Sequence, residues 1–396
     1  MTINVLHIWG PGFKNDFGGQ YIFWKYAYEN WNENSVCHKI LDYDDKSIKD
    51  ARLLIRESSV LPKEYPSRLK RFLWAINLLW LITVYQNKYD VLHVHMLLWG
   101  GLLVAPWAKL IGKPAIYESV LEGSDNPSSI QKVKFGNVML WCLRHFTKVI
   151  AISGALAKDF KAYEIPVVTI SNSVDTFMFS PVKNSSEKMG LRKDFEISED
   201  AQVLLFVGSV KHRKGVDILV EMFVRMAGKR PNLFLLIIGP KTIKENKSID
   251  MEYVQGLYSV LQSKQLLERV KFVGMVKDKN RLAKFYKLAD VFVFPTRQEG
   301  LGNVVLEAAA SQLPVVVTHL PEIEDIIQDK INGLFIPRDD VDACEKAVSL
   351  FLDDFSFARA MSINAREYVI KKFAYENWQS DVKQCYIDSL QQFISR

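Results

Sequence analysis

The chain has few cysteines, and none of them are paired in sequence. Its 396 residues include four, which lie far apart and form no CxxC motif: Cys37, Cys142, Cys344 and Cys385. A disulfide framework or a zinc site of paired cysteines is therefore not expected, and a reducing compartment fits. The first residues, MTINVLHIWGPG, also lack the basic region and long apolar region of a signal peptide, so a cytoplasmic location is predicted.

Patterns for nucleic-acid, dinucleotide and metal binding are missing as well. No basic run is interleaved with stacking aromatic residues, so a nucleic-acid partner is not expected. The glycines of GPGFKNDFGG lack the G-x-G-x-x-G spacing of a nicotinamide cofactor site. His93 and His95 alternate on one predicted strand and face the same side, but the sequence suggests no further ligand for a metal. We therefore predict neither a cofactor nor a metal.

What the chain does contain is enough apolar sequence for two domains. Hydrophobic residues make up 48% of it, and 396 residues exceed one ordinary core. The net charge is +6, and nearly all of this excess lies in residues 1–190. That positive excess predicts that the first half of the chain lies near a partner with an anionic surface.

Short apolar runs alternate with segments of helical periodicity. Near-continuous apolar strands are typical of parallel sheets that are covered on both faces, and the alternation predicts an α/β fold of doubly wound domains. The predicted strands are 3–9, 91–96, 114–119, 148–153, 167–171, 202–208, 233–239, 270–274, 291–295 and 314–318.

A polar segment, 184–200, interrupts the alternation, and we interpret it as a linker. It separates a first domain, 1–183, from a second domain, 200–374. A helix at about 375–396 is expected to return to the first domain.

The stretch PTRQEGLGNVVLEAAASQLPVVVT (295–318) carries two acids on a predicted strand, loop and helix. Ligands of open α/β sheets bind beyond the carboxyl ends of the strands, which puts Glu299 at the mouth of that crevice. Gly300 and Gly302 allow close backbone approach, and the amides at the helix start suit a phosphate. Glu307 lies in an apolar helix and needs hydrogen-bond donors, either ribose hydroxyls or a basic side chain in the core.

A second strand-to-helix loop, SVKHRKG, contains Arg213 and Lys214. Cations at this place could neutralise a diphosphate, the arginine as a fork and the lysine as a point charge. The alternative is two solvated loop cations.

Four stretches together resemble glycosyltransferase family 4: QEGLGNVVLEAAASQLPVVVT, FVGSVKHRKGVD, ISNSVD and VIAIS. The resemblance implies the GT-B architecture, with two Rossmann-like domains facing a cleft, an acceptor domain first and a donor domain second. It also implies metal-independent, retaining transfer of a hexose from a nucleotide-diphosphate sugar. The implied acceptor is a glycan or lipid-linked glycan in cell-surface polysaccharide synthesis.

The resemblance also implies roles for single residues. Glu299 would touch the donor sugar, Glu307 the ribose, and Lys214 the diphosphate, so that Lys214 and Glu299 are the expected catalytic residues. Gly18 and Gly19 match a glycine pair that approaches the phosphate from the first domain. The expected donor-binding residues are Gly19, Arg213, Lys214, Val276, Glu299, Gly300, Leu301, Gly302, Asn303 and Glu307.

The sequence departs from the family pattern at several positions. Ser209 stands where many members have arginine, so either Arg213 substitutes or the diphosphate has one cation fewer. Val120 replaces a frequent histidine, and Ser173 replaces a usual glycine. Gln312 also replaces a glycine at a helix end, where left-handed backbone would cost about 1 kcal/mol.

Three residues are candidates for the acceptor side: His95, Glu122 and Asp125. The alternative for the last two is a solvated loop. Asp42-Tyr43-Asp44 forms a D-x-D, the metal signature of the other major glycosyltransferase fold, but its polar surroundings favour a solvated loop.

The segment SRLKRFLWAINLLWLITVY (67–85) is too short in its apolar part to span a bilayer. Basic residues beside Trp74 and Trp80 suit a helix in the membrane interface, and the alternative is a buried Rossmann helix. A peripheral position at the inner membrane face is therefore one hypothesis. Two other functions stay open: a non-catalytic GT-B partner subunit, motivated by Ser209 and Val120, and a sugar-nucleotide epimerase.

Overall fold

The structure is a computed structural model, and it describes residues 2–9, 19–31, 35–42, 47–50, 68–95, 99–121 and 123–395. The chain divides into two compact units. Met1–Asn172 and Trp378–Arg396 form the first unit, and Ser173–Asn377 forms the second. The first stretch of the first unit thus ends before the predicted boundary at residue 183.

The first unit is built around a seven-stranded sheet in the order β3-β2-β1-β4-β5-β6-β7. All neighbouring strands are parallel except β2 and β3. Its elements are β1 (Ile3–Ile8), α1 (Gly19–Asn30), β2 (Val36–Asp42), β3 (Ser47–Asp50), α2 (Arg68–Val84), β4 (Val91–Val94), α3 (Trp99–Leu110), β5 (Ala115–Ser119), α4 (Pro127–Ile130), α5 (Gly136–Leu143), β6 (Lys148–Ala151), α6 (Gly154–Ala162) and β7 (Val167–Thr169).

The second unit is built around a six-stranded, fully parallel sheet in the order β10-β9-β8-β11-β12-β13. The last helix crosses from the second unit into the first. The elements are α7 (Ser185–Asp194), β8 (Gln202–Val207), α8 (Val216–Ala227), β9 (Leu233–Ile238), α9 (Met251–Ser263), β10 (Val270–Gly274), α10 (Lys279–Leu288), β11 (Val291–Phe294), α11 (Asn303–Ala310), β12 (Val315–Thr318), β13 (Leu334–Ile336), α12 (Val341–Asp353), α13 (Phe355–Phe373) and α14 (Tyr375–Ile394).

Each sheet reverses its strand order once, which makes both units doubly wound as predicted. The reversal lies between β1 and β4 in the first unit and between β8 and β11 in the second. β4, β8 and β11 are buried at almost every position, as strands covered by helices on both faces must be. Ligands of such sheets bind where the strand order reverses, so in the second unit a ligand is expected at the loops after β8 and β11.

The predicted linker at 184–200 is wrong, because α7 occupies most of it and packs within the second unit. Asn184 caps the helix by accepting a hydrogen bond of 2.9 Å from the amide of Glu187, which in turn accepts from the amide of Lys183. Arg192 is buried and bonds Asp290 at 2.7 Å. The polar composition of this segment therefore reflects helix capping and several ion pairs, not a free connection.

α2 has one buried and one exposed apolar face. Leu78, Leu81 and Ile82 are buried in the first unit, whereas Phe72 and Trp80 are exposed. Among the described residues, no helix combines the length and hydropathy that crossing a membrane requires.

Candidate functional site

Two loops of the second unit meet at the carboxyl ends of β8 and β11. The amide of Arg297, in the loop after β11, donates a hydrogen bond of 2.8 Å to the carbonyl of Arg213, in the loop after β8. Gly215 ends the first loop with a φ of +68°, and a Cβ there would lie 1.8 Å from the carbonyl oxygen of Pro295. Glycine is therefore required at position 215 for this close approach of the two loops.

Lys214 and Glu299 form an ion pair where these loops meet. The ammonium contacts Oε1 of Glu299, which also accepts a hydrogen bond of 2.9 Å from the hydroxyl of Thr296. Oε2 of Glu299 has no hydrogen-bond partner among the described residues. Burial lowers the pKa of Lys214, Glu299 raises it and Arg213 lowers it further. The sequence placed these two residues on separate loops, and the structure brings them together.

Arg213 and Arg297 hold the loop after β11 in place. Arg213 donates a hydrogen bond of 2.6 Å to the carbonyl of Gln298, so it contacts the protein and is not a fully solvated cation. Arg297 grips both carboxylate oxygens of Asp217 at 2.8 and 2.7 Å and bonds Asp339 at 2.6 Å. The two arginines therefore fix the loop at residues 297 and 298, directly before Glu299.

α11 begins without a side-chain cap. Its N-cap residue is Gly302, which has a φ of +91° and offers no side-chain oxygen to the first amides of the helix. α8 likewise begins at a glycine, Gly215, without a side-chain cap. Five other helices of this unit begin at a side chain that accepts an amide hydrogen bond: Asn184, Asp250, Asp278, Asp340 and Asp354. At the two helix starts beside Lys214 and Glu299 the N-cap residue thus supplies no side-chain acceptor, although the amide of Asp217 in α8 donates a hydrogen bond of 2.9 Å to the hydroxyl of Tyr253. A helix start without a side-chain cap suits an anion.

Glu307 is 7% exposed and has protein partners. Tyr286 donates a hydrogen bond of 2.9 Å to Oε2, and Lys279 contacts Oε1 at 3.2 Å. Burial, followed by the charge of Glu307, raises the pKa of Tyr286 well above its usual value. Of the two alternatives drawn from the sequence, pairing with a basic side chain is the one present in the structure.

A further acid, Glu245, organises the loop that leads to the predicted donor residue Val276. Its carboxylate accepts hydrogen bonds from the amides of Lys241 and Thr242 at 2.9 and 3.0 Å, and from the amide of Met275 at 2.8 Å. It therefore joins the loops after β9 and β10, just before the predicted donor residue Val276. Sequence reasoning missed Glu245, because its partners are backbone amides with no sequence signature.

A separate cavity of the second unit lies at the opposite, amino ends of the strands. It is lined by Gln202, Ala289 and Pro314 among others, and by none of the predicted donor residues. We place the candidate site at the carboxyl ends, because the ion pair, the arginines and the uncapped helices meet there.

Residues 188–368 match the family described as Glycosyl transferases group 1, and residues 38–176 match Glycosyltransferase Family 4. The chain belongs to glycosyltransferase family 4. It is a glycosyltransferase with the two-domain α/β GT-B fold.

Three similar proteins illustrate the relationship. An uncharacterized glycosyltransferase of Methanocaldococcus jannaschii is 27% identical over 304 residues, which are 74% of this chain and 73% of that protein. The lipopolysaccharide core biosynthesis mannosyltransferase LpsB of Rhizobium meliloti is 29% identical over 59% of this chain and 63% of its own length. The structure of HepE from Anabaena, in complex with UDP and glucose, superposes with a TM-score of 0.74 at 16% identity, covering 98% of this chain and 100% of that chain.

Two of the three residues that this glycosyltransferase was expected to use for the acceptor, Asp125 and His95, have structural partners. Both carboxylate oxygens of Asp125 accept backbone hydrogen bonds, from Val120 at 2.8 Å and Leu121 at 2.9 Å. Burial raises the pKa of Asp125 to about 6, although these amides lower it. Asp125 is thus a buried support of its loop and not a solvated residue. Glu122 lies outside the described residues.

His95 lies inside the first unit rather than on its surface. Its Nδ1 is 2.5 Å from Oε2 of Glu118, its ring stacks on Trp9 with a centroid distance of 4.1 Å, and its side chain is fully buried. The expectation that no further metal ligand lies near His93 and His95 is wrong, because His7 joins them. The sequence shows a histidine near the end of each of the two apolar runs that form β1 and β4, but it does not show that these strands pair.

The other predicted residues that the structure describes lie at the start of α1, at the end of β2 and around the start of α11. Gly19 is the first residue of α1, and Gly18 lies outside the described residues. Gly300, Leu301 and Asn303 flank Gly302, and Leu301 is buried. Asp42 ends β2, and the rest of the D-x-D lies outside the described residues.

Proposed function

We propose that this glycosyltransferase is a retaining enzyme that transfers a hexose from a nucleoside-diphosphate sugar to a glycan or lipid-linked glycan. The ion pair of Lys214 and Glu299 beside the uncapped start of α11 carries the proposal. A cation, a carboxylate and a helix start without a side-chain cap meet where the strand order reverses, and they suit a donor with a diphosphate and a sugar.

The diphosphate is assigned to Lys214 and to the amides after Gly302. A lysine ammonium has three N–H donors, and Glu299 uses one of them, so donors remain for phosphate oxygens. Because the leaving group gains negative charge in the transition state, fixed cations and helix amides stabilise that state more than the ground state. We propose on this basis that transfer needs no divalent metal, and activity in buffers free of magnesium and manganese is the check.

Glu299 is assigned to the donor sugar and Glu307 to the ribose. Oε2 of Glu299 can accept a hydrogen bond from a hydroxyl of the sugar, while Lys214 and Thr296 hold Oε1. A carboxylate has about four lone-pair sites, and Tyr286 and Lys279 occupy two of those of Glu307. These partners orient the carboxylate and leave acceptor capacity for ribose hydroxyls.

The similar proteins support the choice of substrate class. HepE was solved with UDP and glucose, and LpsB is described as a mannosyltransferase of lipopolysaccharide core biosynthesis. A hexosyl donor and a cell-surface polysaccharide as product are in keeping with both.

A panel of uridine and guanosine diphosphate sugars tests the proposal. We expect slow donor hydrolysis with one member of the panel, transfer when a lipid-linked or free glycan is added, and an unchanged anomeric configuration by NMR. Binding without turnover would instead identify a non-catalytic partner subunit. Interconversion of the free donor would identify an epimerase.

We further propose that the first unit rests on the inner face of a membrane through α2, α3 and the region of α5. α3 packs against both other helices, and the indole nitrogen of Trp107 bonds the hydroxyl of Thr83 at 2.9 Å. Exposed apolar side chains occur on all three segments, including Phe72, Leu73, Ile76, Trp80, Val84, Leu110, Val133, Phe135, Val138 and Trp141. Exposed lysines accompany them at positions 109, 132 and 134. Apolar side chains beside lysines suit an anionic bilayer surface.

Co-sedimentation with vesicles tests the membrane contact. We expect the wild-type chain to pellet with anionic vesicles, and a Phe72→Ser, Trp80→Ser variant to stay in the supernatant. Ile370→Ser, at an exposed apolar position of the second unit, is the matched control and should pellet. Wild-type protein that remains in the supernatant would contradict the proposal.

A further inference from the structure

Four buried histidines gather on three adjacent strands of the first unit. His7 lies on β1, His38 on β2 and His93 on β4, and His95 directly follows β4. His7 and His93 are register partners across the β1–β4 pair. One ring nitrogen from each of His7, His93 and His95 lies within 4.8 Å of the other two. Among the described residues, these three form the group whose spacing suits a metal ion.

The second ring nitrogen of each of these three histidines is held by a different partner. Nδ1 of His95 is 2.5 Å from Oε2 of Glu118. Nδ1 of His93 is 2.9 Å from the hydroxyl of Tyr386, and Nε2 of His7 is 2.8 Å from Nδ1 of His38. Metal-ligating histidines are oriented in this way, because a bond to the outer nitrogen fixes the tautomer and turns the inner nitrogen toward the ion.

The inner nitrogens face one another. Nδ1 of His7 and Nε2 of His95 are 2.8 Å apart. Nε2 of His93 is buried and has no hydrogen-bond partner among the described residues. A buried nitrogen lone pair or N–H without a partner is costly, and an ion at the centre of the group would complete its bonding.

We propose that His7, His93 and His95 bind a divalent transition-metal ion of zinc type. Three neutral imidazoles with one open position are an established ligand set for zinc, with Zn–N distances of about 2.0–2.1 Å. Two such nitrogens on a tetrahedral ion lie about 3.3 Å apart, so His7 and His95 must separate by about half an ångström.

Glu118 orients the site and offsets part of the charge of the ion. Its Oε2 accepts from His95 and, at 2.8 Å, from the indole of Trp24, and lies 4.0 Å from Nε2 of His93. It is therefore an outer partner, as in carboxylate–histidine–zinc triads. Tyr386 belongs to α14, so the ion links the sheet to the C-terminal helix within the first unit. None of these residues belongs to the second unit, and we assign the ion a stabilising role and no step in the transfer.

Metal content and thermal stability test the proposal on the full-length, tag-free chain. After removal of metals with a chelator and dialysis against zinc chloride, we expect about one zinc ion per chain by mass spectrometry and a higher Tm than the metal-free protein. Cobalt substitution should give the visible absorption of a tetrahedral site. His93→Ala should abolish zinc binding and the visible absorption of bound cobalt. If the alanine variant does not fold, His93→Gln replaces it in the same measurements.

Two further variants separate the site from incidental binding. Tyr386→Phe removes an outer partner and should weaken zinc affinity by about 10–100-fold without removing a ligand. His319→Ala changes an exposed histidine of the second unit and should leave zinc binding unchanged. Wild-type protein that binds well below one equivalent would overturn the proposal, and so would undiminished binding in the His93 variants. These readouts do not depend on glycosyltransfer.

Discussion

Tyr286 donates a hydrogen bond of 2.9 Å to Oε2 of Glu307, so the acid buried in α11 has a protein partner before any donor binds. Lys279 contacts the other oxygen at 3.2 Å, and its side chain is 32% exposed. An acid in an apolar helix is therefore tolerated here without a ribose. Whether Glu307 also binds the donor becomes a question that substitution can answer.

Glu307→Ala should raise the donor KM about 10- to 100-fold, because hydrogen bonds to a charged group contribute about 1.5–3 kcal/mol. Steady-state kinetics with varied donor measures this change. Lys279→Ala removes one protein partner and leaves the carboxylate, so its effect on KM should be smaller. If Glu307→Ala lowers the Tm and leaves the donor KM unchanged, the residue has a structural role only.

Lys214→Met should lower kcat by about 10²–10³-fold, the usual effect of removing one group that stabilises developing negative charge. The measurement is single-turnover transfer at saturating donor. Lys229→Met is the control, because that side chain is 76% exposed and lies away from the site loops. Wild-type turnover in the Lys214 variant would remove this residue from the mechanism.

The alkaline limb of the pH–activity profile should respond to Glu299. Burial lowers the pKa of Lys214 and Glu299 raises it, and the charged ammonium is the form that binds phosphate. Activity should therefore fall as pH rises through the pKa of Lys214, and Glu299→Gln should move that fall to lower pH. kcat/KM against pH for both proteins is the measurement. A limb that stays in place, or moves to higher pH, contradicts this assignment.

Asp125→Ala should lower the free energy of unfolding by about 1–3 kcal/mol, because two buried backbone amides lose their acceptor. The folded-state pKa of about 6 lies above the usual value of an aspartate. The stability that this titration contributes is thus present at low pH and is lost as pH rises through about 6. Denaturant unfolding at several pH values should show the difference between the two proteins shrinking over that window. A higher acceptor KM with unchanged stability would instead assign Asp125 to the acceptor.

Local patterns allowed much of the second unit to be predicted. The apolar runs at 202–208 and 291–295 become β8 and β11, and the glycine-rich turn after β11 leads into α11. Gln312 was expected to meet left-handed backbone at the end of this helix, and its φ is +56°. These features depend on neighbours in sequence, which a single sequence contains.

Long-range partners could not be predicted. The predicted linker concealed a helix whose Arg192 pairs with Asp290, almost a hundred residues later. The histidines of β1, β2 and β4 meet only because β1 lies between the other two strands. Periodicity gives the face of a strand but not its neighbours, so neither arrangement was visible beforehand.

α14 has a consequence for biosynthesis. Trp378 packs against Phe23 and Trp24, with ring centroids 4.9 and 5.1 Å apart, and Tyr386 reaches His93. The amino-terminal half of the nascent chain therefore leaves the ribosome without the side chains that close its interior. The second unit is continuous in sequence, so it can fold before residues 378–396, which complete the first unit, have been synthesised. A polypeptide that is stalled or released before α14 is made would leave the rings of Phe23 and Trp24 without Trp378, and chaperones could bind them.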